Sequence, residues 1–356
     1  NTAVGYQALY LNTTGASNTA IGVGALDANT TTNNNTAVGY GALGENTASN
    51  NTALGNSALG VNTTGTSNAS VGYYALGANT TGTYNTAMGA YSLDANTTAN
   101  SNTAFGYGSL SACTTGGDNN ALGFHAAVNI TTGSDNVAIG NNALYSLTTT
   151  SRNIAIGKNA LYACTSTQNV AVGYAALDAM TTGSESVAIG DHAADVCTGS
   201  HNTFIGHSAG GSATTGGDNV MIGSMAGDHD TSTTDGDRAT IVGSRANAST
   251  SGSSQEAVFG YNVTGKGTNT FMVGGTSGAY NDANSSTWST TSDIRIKKNI
   301  NDNATGLDKI NQIQVKNFEY KTEDEIKTDS PELTDVVKSA VVHKEGVQVG
   351  SIAQEI

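Results

Sequence analysis

The first 231 residues are built from one short repeat. The pattern Asn-Thr-Ala-Val-Gly, followed by Ala-Leu and then Thr-Thr, occurs fourteen times at a spacing of sixteen or seventeen residues. One glycine recurs in each copy and is called the reference glycine: Gly5, Gly22, Gly39, Gly55, Gly72, Gly89, Gly106, Gly123, Gly140, Gly157, Gly173, Gly190, Gly206 and Gly223, with looser copies at Gly243, Gly260 and Gly274. This period is too short for helical-pair or propeller repeats, but it suits one turn of a β-solenoid, whose coils bury apolar side chains by stacking. We therefore predict an all-β fold, a parallel β-solenoid of about 17 coils.

Two polar positions are nearly invariant relative to the reference glycine. The residue four before it is Asn in thirteen of the fourteen copies, and the residue eight after it is Thr in all of them. These columns begin with Asn1, Asn18 and Asn35, and with Thr13, Thr30 and Thr47. Stacked coils lie about 4.8 Å apart, so identical side chains fall above one another and can form hydrogen-bonded ladders.

Alternation along the strand divides its residues between two faces. Thr2 and Val4 fall on one face, and Ala3 and Gly5 on the other. The bulky face, together with Leu9, is predicted to form the interior of the coil. The bare Ala/Gly face would let another backbone approach closely, which predicts chains packed side by side.

The position seven after the reference glycine changes character along the chain. It is Asn in the first six copies and then reads Cys113, Ile130, Leu147, Cys164, Met180, Cys197 and Ala213. This indicates a stacked column that switches from polar to apolar. The cysteines are two or three coils apart, roughly 10–15 Å, which is beyond disulfide reach, so buried thiols are favoured over interchain bridges.

Aromatic residues recur directly after the reference glycine. The candidate receptor-binding stripe is Tyr6, Tyr40, Tyr73, Tyr107 and Tyr174. Such rings either stack on sugars or pack between chains.

Asn-x-Ser/Thr sequences are frequent, for example at Asn12, Asn29, Asn62, Asn79 and Asn96. They serve turn formation, or they carry glycans if the protein comes from a glycosylating cell.

Composition restricts the partners. The formal net charge is −14, which argues against nucleic acid, and no apolar run approaches the 18 residues of a membrane span. No cofactor is expected. A cluster of Asp228, Asp230, Asp235 and Asp237 is a weak Ca²⁺ candidate, with a solvated acidic loop favoured.

The repeat ends before the C-terminal part of the chain. We predict a shaft at 1–274, a Ser/Thr/Asn-rich neck at 275–291 and a second domain at 292–356, where lysines and carboxylates become dense. The second domain opens with Ser-Asp-Ile-Arg-Ile-Lys-Lys-Asn-Ile, contains Asn-Phe-Glu-Tyr at 317–320 and closes with Gly-Ser-Ile-Ala-Gln-Glu at 350–355. These motifs resemble the C-terminal intramolecular chaperone of phage tailspikes, tail fibres and endosialidases.

The resemblance implies a small α+β domain, here truncated, that trimerises the chain and cuts itself off. Carried onto this sequence, Ser292 would be the nucleophile and Lys297 its base, with cleavage between Thr291 and Ser292. A desolvated lysine can take the proton of a serine hydroxyl. No turnover enzyme is expected beyond this single event.

The shaft carries a resemblance of its own. Its Asn-[Thr/Val]-Ala-[Val/Ile]-Gly-x-x-Ala core is similar to the head repeats of trimeric autotransporter adhesins, which implies a left-handed β-roll and a homotrimer. The predicted function is a virion tail fibre that binds a host-surface polysaccharide or protein receptor and joins other tail proteins through a missing N-terminus, without membrane insertion. The alternative is a secreted cell-surface adhesin or filament protein.

Overall fold

The computed structural model of the chain describes residues 1–228, 236–250, 252–274 and 278–281, together with the backbone of strands at 288–290, 316–318 and 348–350. The chain divides into two compact units, Asn1–Thr291 and Ser292–Ile356. Among the described residues no helix occurs.

The first unit is one long sheet with a three-residue strand in each coil. The strands are β1 (Thr2–Val4), β2 (Thr19–Ile21), β3 (Thr36–Val38), β4 (Thr52–Leu54), β5 (Ala69–Val71), β6 (Thr86–Met88), β7 (Thr103–Phe105), β8 (Asn120–Leu122), β9 (Val137–Ile139), β10 (Ile154–Ile156), β11 (Val170–Val172), β12 (Val187–Ile189), β13 (Thr203–Ile205), β14 (Val220–Ile222), β15 (Thr240–Val242), β16 (Ala257–Phe259), β17 (Phe271–Val273), β18 (Ala279–Asn281) and β19 (Trp288–Thr290). Each strand from β1 to β16 pairs in parallel with the next, and equivalent residues face each other, as Ala20 faces Ala37. The described strands thus bound sixteen turns of a parallel β-solenoid, which confirms the predicted fold class.

Backbone hydrogen bonds join successive coils well beyond the strands. In the first coil, the amides of Leu9, Leu11 and Thr13 donate to carbonyls of the second coil at 2.8–3.1 Å. The turns therefore stack as regularly as the strands, and the fold is held by a continuous backbone ladder.

The reference glycine has a conformational reason to be glycine. At Gly22, φ is +136°, and a Cβ atom there would overlap the carbonyl group of Gly39 in the next coil. The turn after each reference glycine also contains left-handed residues. In the first coil, after Gly5, φ is 58° at Gln7 and 52° at Leu9. Such angles are unfavourable for L-residues and persist only where the surrounding structure fixes them.

The prediction of which strand face lies inside was wrong. Ala20 and Ala37, in the centre of their strands, are fully buried, whereas Val4 and Ile21 are 57% and 40% exposed. The small residues point into the coil and the bulky ones point outward. The leucines of the turn are inside as predicted, and Leu26 is fully buried.

The width of the coil explains this arrangement. In two of the coils that lack the central strand alanine, the residue there is Phe204 or Met221, and the leucine position of the same coil is Gly210 or Gly227. A Cβ atom at Gly210 would collide with the Phe204 ring, and one at Gly227 would collide with the Met221 sulfur. The two positions share one interior space, so a leucine in the turn leaves room for only a small residue on the strand, alanine or, beside Leu76, Ser70.

The interior column seven residues after the reference glycine changes as predicted. Asn62, Asn79 and Asn96 are fully buried, and each side-chain Nδ2 donates to the Oδ1 of the preceding Asn in the column at 2.6–2.7 Å. From Cys113 onward the column is apolar and buried, and all three cysteines are free thiols.

This burial bears on four of the five Asn-x-Ser/Thr sequences named above, whereas Asn12 is only partly buried. The side chains of Asn29, Asn62, Asn79 and Asn96 have no exposed surface. They are bonded inside the coil and cannot carry a glycan in the folded chain.

The parallel stack ends in two antiparallel strands. β18 pairs with the free edge of β17, and β19 pairs with β18. Tyr280 on β18 is partly buried and packs against the core of the solenoid. The Lys266 Nζ atom lies 5.7 Å from the centroid of the Tyr280 ring. The edge of β17 is thereby covered, which removes a site for further strand addition.

In the second unit, the described residues form one antiparallel pair, β20 (Lys316–Phe318) with β21 (Gln348–Gly350).

Candidate functional site

The outer face of the long sheet carries one continuous column of apolar side chains. The third residue of every strand from β1 to β17 points outward and is apolar: Val4, Ile21, Val38, Leu54, Val71, Met88, Phe105, Leu122, Ile139, Ile156, Val172, Ile189, Ile205, Ile222, Val242, Phe259 and Val273. We call this set the outer column. None of these seventeen strands contains a charged residue, although the protein carries 28 Asp and Glu and 14 Lys and Arg.

The first residue of each strand shares this face and is most apolar in the middle of the sheet. It is Thr in most of the early strands, apolar in β9 to β12 at Val137, Ile154, Val170 and Val187, and Thr again in β13 and β15. Isolated apolar residues on a surface need no explanation, but a contiguous patch larger than a few hundred Å² marks an interaction site.

The size of the face can be estimated from strand geometry. Seventeen strands about 4.8 Å apart, each with three residues of about 3.3 Å, cover roughly 800 Å². A standard protein interface buries about 800 Å² on each partner. The outer face of the sheet is therefore large enough to hold a second copy of the chain.

The predicted polar columns bond mainly to backbone groups. In the first column, Asn1 Oδ1 accepts from the amide of Asn18 at 2.8 Å, and Asn18 Oδ1 accepts from the amide of Asn35 at 2.9 Å. In the second, the hydroxyls of Thr13 and Thr47 donate to the carbonyls of Thr30 and Thr63 in the next coil. Both columns tie neighbouring coils together.

The five candidate tyrosines of the receptor stripe are all exposed, but they do not form one stripe. Tyr6 and Tyr40 make no ring contact with the other described aromatic residues. Tyr174 lies apart from the others, against His192. Only Tyr73 and Tyr107 are brought together.

A compact aromatic cluster links these two residues. It consists of Tyr73, Tyr74, Tyr91, Tyr107, Phe124 and His125. Tyr91 contacts Tyr73 and Tyr107 edge-on, with ring centroids 5.3 and 5.9 Å apart, and Tyr107 stacks on Phe124 at 5.6 Å. Desolvation, followed by the influence of Tyr73, raises the pKa of the Tyr91 hydroxyl above its usual value.

Sequence reasoning missed half of this cluster. Tyr74, Tyr91 and His125 stand two residues after the reference glycine, whereas the predicted stripe followed only the position directly after it. Aromatic residues at either of the two positions in four successive coils are the signal that would have found them.

The acidic candidates are only partly described. Asp230 and Asp235 lie outside the described residues. Asp228 accepts a hydrogen bond from the Ser212 hydroxyl at 2.9 Å, and Asp237 accepts one from the Gly217 amide at 2.8 Å. The part of the chain that the structure describes contains no group of three or more His, Cys, Asp or Glu side chains able to hold a metal ion.

The predicted cleavage residues Thr291, Ser292 and Lys297 also lie outside the described residues. The boundary between the two compact units falls between Thr291 and Ser292.

Comparison with known proteins bears on the C-terminal segment. The family model described as chaperone of endosialidase matches residues 292–356. The C-terminal resemblance is thereby confirmed: this segment is similar to an endosialidase-type chaperone and follows a β-solenoid, as in a tail fibre or spike. No curated protein and no solved structure matches the chain. The described residues also include no helix long and apolar enough to cross a membrane.

Proposed function

We propose that the chain forms the shaft of a homotrimeric phage tail fibre that carries a self-cleaving C-terminal chaperone and contacts a host surface. The observation that carries this proposal is the uncharged, apolar outer face of the sheet. A solenoid with such a face exposed along its length would aggregate or associate, and closed symmetric association is the common outcome.

A parallel trimer suits the geometry of this face. The outer column runs along the stacking direction of the coils, so a threefold axis parallel to that direction brings the same column of three chains together over the full length. The matched chaperone family, which is associated with trimerisation, supports three copies over two. This interface replaces the Ala/Gly face that the strand pattern predicted.

The trimer is tested by charging the outer column. Ile189 and Val196 belong to the same coil and are 40% and 42% exposed, but only Ile189 lies on the sheet. A lysine at position 189 would be buried and would meet two like charges in the trimer. We expect Ile189→Lys to convert a trimer into monomers in multi-angle light scattering.

Val196→Lys is the matched control and should stay trimeric. A wild-type chain that is monomeric at micromolar concentration would overturn the proposed assembly. Equal dissociation of both variants would show that the outer column is not the interface.

The self-cleavage has a separate test. The full chain should yield a fragment that ends at Thr291, and Ser292→Ala should leave the chain intact, because the hydroxyl nucleophile is lost. Intact-mass spectrometry distinguishes the two products. Equal cleavage of both chains would remove Ser292 from this role.

A further inference from the structure

A groove of about 400 Å³ runs along the turns of the first five coils, beside the aromatic cluster. Its floor includes Gly44, Gly60 and Gly77, which occupy the same turn position in three successive coils. None of its lining residues belongs to a strand, so the groove stays outside the sheet face assigned to trimer formation.

Two tyrosines form the aromatic walls of the groove. Tyr40 is 63% exposed, and Tyr74 is 41% exposed. The Tyr74 ring lies over Gly77, where it occupies the space that a side chain at position 77 would fill. The two tyrosines are two coils apart, about 10 Å along the stack. Each can therefore present a ring face to a different part of an elongated ligand.

The polar groups of the groove are free to bind a ligand. Asp27, Glu45 and Gln7 line it, and none of their side chains has a hydrogen-bond or ion-pair partner among the described residues. The Asp27 carboxylate lies above the floor, with one oxygen 3.6 Å from where a Cβ atom at Gly44 would stand. Carboxylate oxygens accept hydrogen bonds, and hydroxyl groups donate them.

Charge restricts the ligand further. The chain contains no Lys or Arg before Arg152, whereas five carboxylates precede that residue, so the first 151 residues carry a formal charge of −5. An anionic polymer would be repelled from this part of the shaft. The ligand chemistry that fits is uncharged, rich in hydroxyl groups and able to stack on aromatic rings.

We propose that this groove binds a neutral saccharide chain. The polarised C–H bonds of a sugar ring meet the negative ring faces of Tyr40 and Tyr74. Asp27 and Glu45 accept hydrogen bonds from sugar hydroxyls. A volume of about 400 Å³ is within the range of about 300–1,000 Å³ that ligand sites occupy. This inference deepens the proposed function. It rests on that proposal only for the statement that the fibre contacts a host surface.

The test uses the full chain and an array of neutral glucans, mannans, galactans and N-acetylglucosamine polymers, with polysialic acid and uronic-acid polymers as anionic probes. Titration calorimetry with the best neutral glycan follows. Tyr74→Ala should weaken binding about tenfold, because a stacking ring is lost. Glu45→Gln should also weaken binding, because a neutral amide is a poorer acceptor.

Tyr84→Ala is the matched control. Tyr84 is 66% exposed and has φ of 60°, against 58° at Tyr74, but it lies outside the groove and should bind like the wild type. Circular dichroism checks that each variant is folded.

Any of three results would overturn the proposal: the chain binds no neutral glycan on the array, it binds the anionic probes more tightly than the neutral glycans, or the Tyr74 and Tyr84 variants bind the neutral glycan equally well. Attachment to cells that depends on Tyr74 without glycan binding would indicate a protein partner and would also overturn it. Light scattering on the same samples keeps the two proposals separate. A monomer that binds neutral glycan through Tyr74 would refute the trimeric shaft and leave the groove standing.

Discussion

Two regions of the solenoid share one backbone but are filled differently. In the coils up to Asn96, the interior column is a ladder of asparagine amides, whereas from Cys113 to Ala213 the same column is apolar. The strands pair in the same parallel register on both sides of the change. The hydrogen bonds between backbone groups of successive coils therefore determine the fold. The interior of each coil can be occupied either by hydrogen-bonded amide side chains or by apolar side chains of suitable volume.

The junction between the two regions contains an unpaired buried hydrogen-bond acceptor. Asn96 donates to Asn79, but its own Oδ1 atom is buried and has no hydrogen-bond partner among the described residues. The next residue in the column is Cys113, whose thiol donates instead to the carbonyl of Gly116 at 3.2 Å. A buried acceptor without a partner costs about 1–3 kcal/mol.

The largest expected effect concerns volume in the apolar region. Phe204→Ala removes a ring that no leucine replaces and should lower the free energy of unfolding by about 3–5 kcal/mol. Gly210→Leu forces a side chain into the Phe204 ring and should also be strongly destabilising. The double variant restores the Ala-Leu pair of other coils and should recover most of the loss in urea unfolding. Additive losses in the double variant would show that the two positions do not share one space.

The next effect breaks the amide ladder. Asn79 donates to Asn62 Oδ1 and accepts from Asn96 Nδ2, at 2.7 and 2.6 Å. Asn79→Ala leaves the Asn62 Oδ1 atom buried without its donor and removes one of the two acceptors of Asn96 Nδ2, which keeps the carbonyl of Ala99 at 3.3 Å. We therefore expect a loss of about 1–3 kcal/mol in the free energy of unfolding. The exposed Asn56→Ala is the control and should change unfolding by less than about 0.5 kcal/mol. A similar result for both would mean that the ladder contributes nothing to stability.

A smaller effect moves the unpaired acceptor by one coil. Cys113→Asn places an amide directly after Asn96, where its Nδ2 can donate to the unpaired Oδ1, but its own Oδ1 then faces Ile130 and becomes the unpaired acceptor. Because one buried unpaired acceptor replaces another, we expect this variant to change the free energy of unfolding by less than about 0.5 kcal/mol in the same experiment. Cys164→Asn, where the preceding column residue is Leu147, is the contrasting change and should be destabilising. A loss at both positions would contradict the assignment of the unpaired acceptor.

The buried thiols give an effect that depends on pH. Burial raises the pKa of Cys113 and of Cys197 to about 11, from a usual value near 9. Because the folded pKa is above the unfolded one, the stabilisation is complete below pH 9 and is lost as the pH rises toward 11. Thiol labelling at pH 8 should be slow in the folded chain and fast in urea. Rapid labelling of the folded chain would show that these thiols are accessible.

The sequence predicted the candidate sites unevenly. The tyrosines that follow the reference glycine were found because that position repeats, but the cluster depends on Tyr74, Tyr91 and His125 from the next position, which meet the first set only when the coils stack. The groove was not predicted, since its floor forms where small residues happen to follow one another in adjacent coils.

The repeat by itself determined a parallel solenoid, its period and its interior column, because a fixed spacing places like residues above one another whatever the coil contains. It did not determine which strand face is buried. Alternation defines two faces but gives no direction, and only the tertiary structure decided that Ala20 lies inside and Ile21 outside. The reason is the narrow coil: the turn leucine Leu26 takes the interior volume, so the bulky strand residues remain outside for a partner to cover.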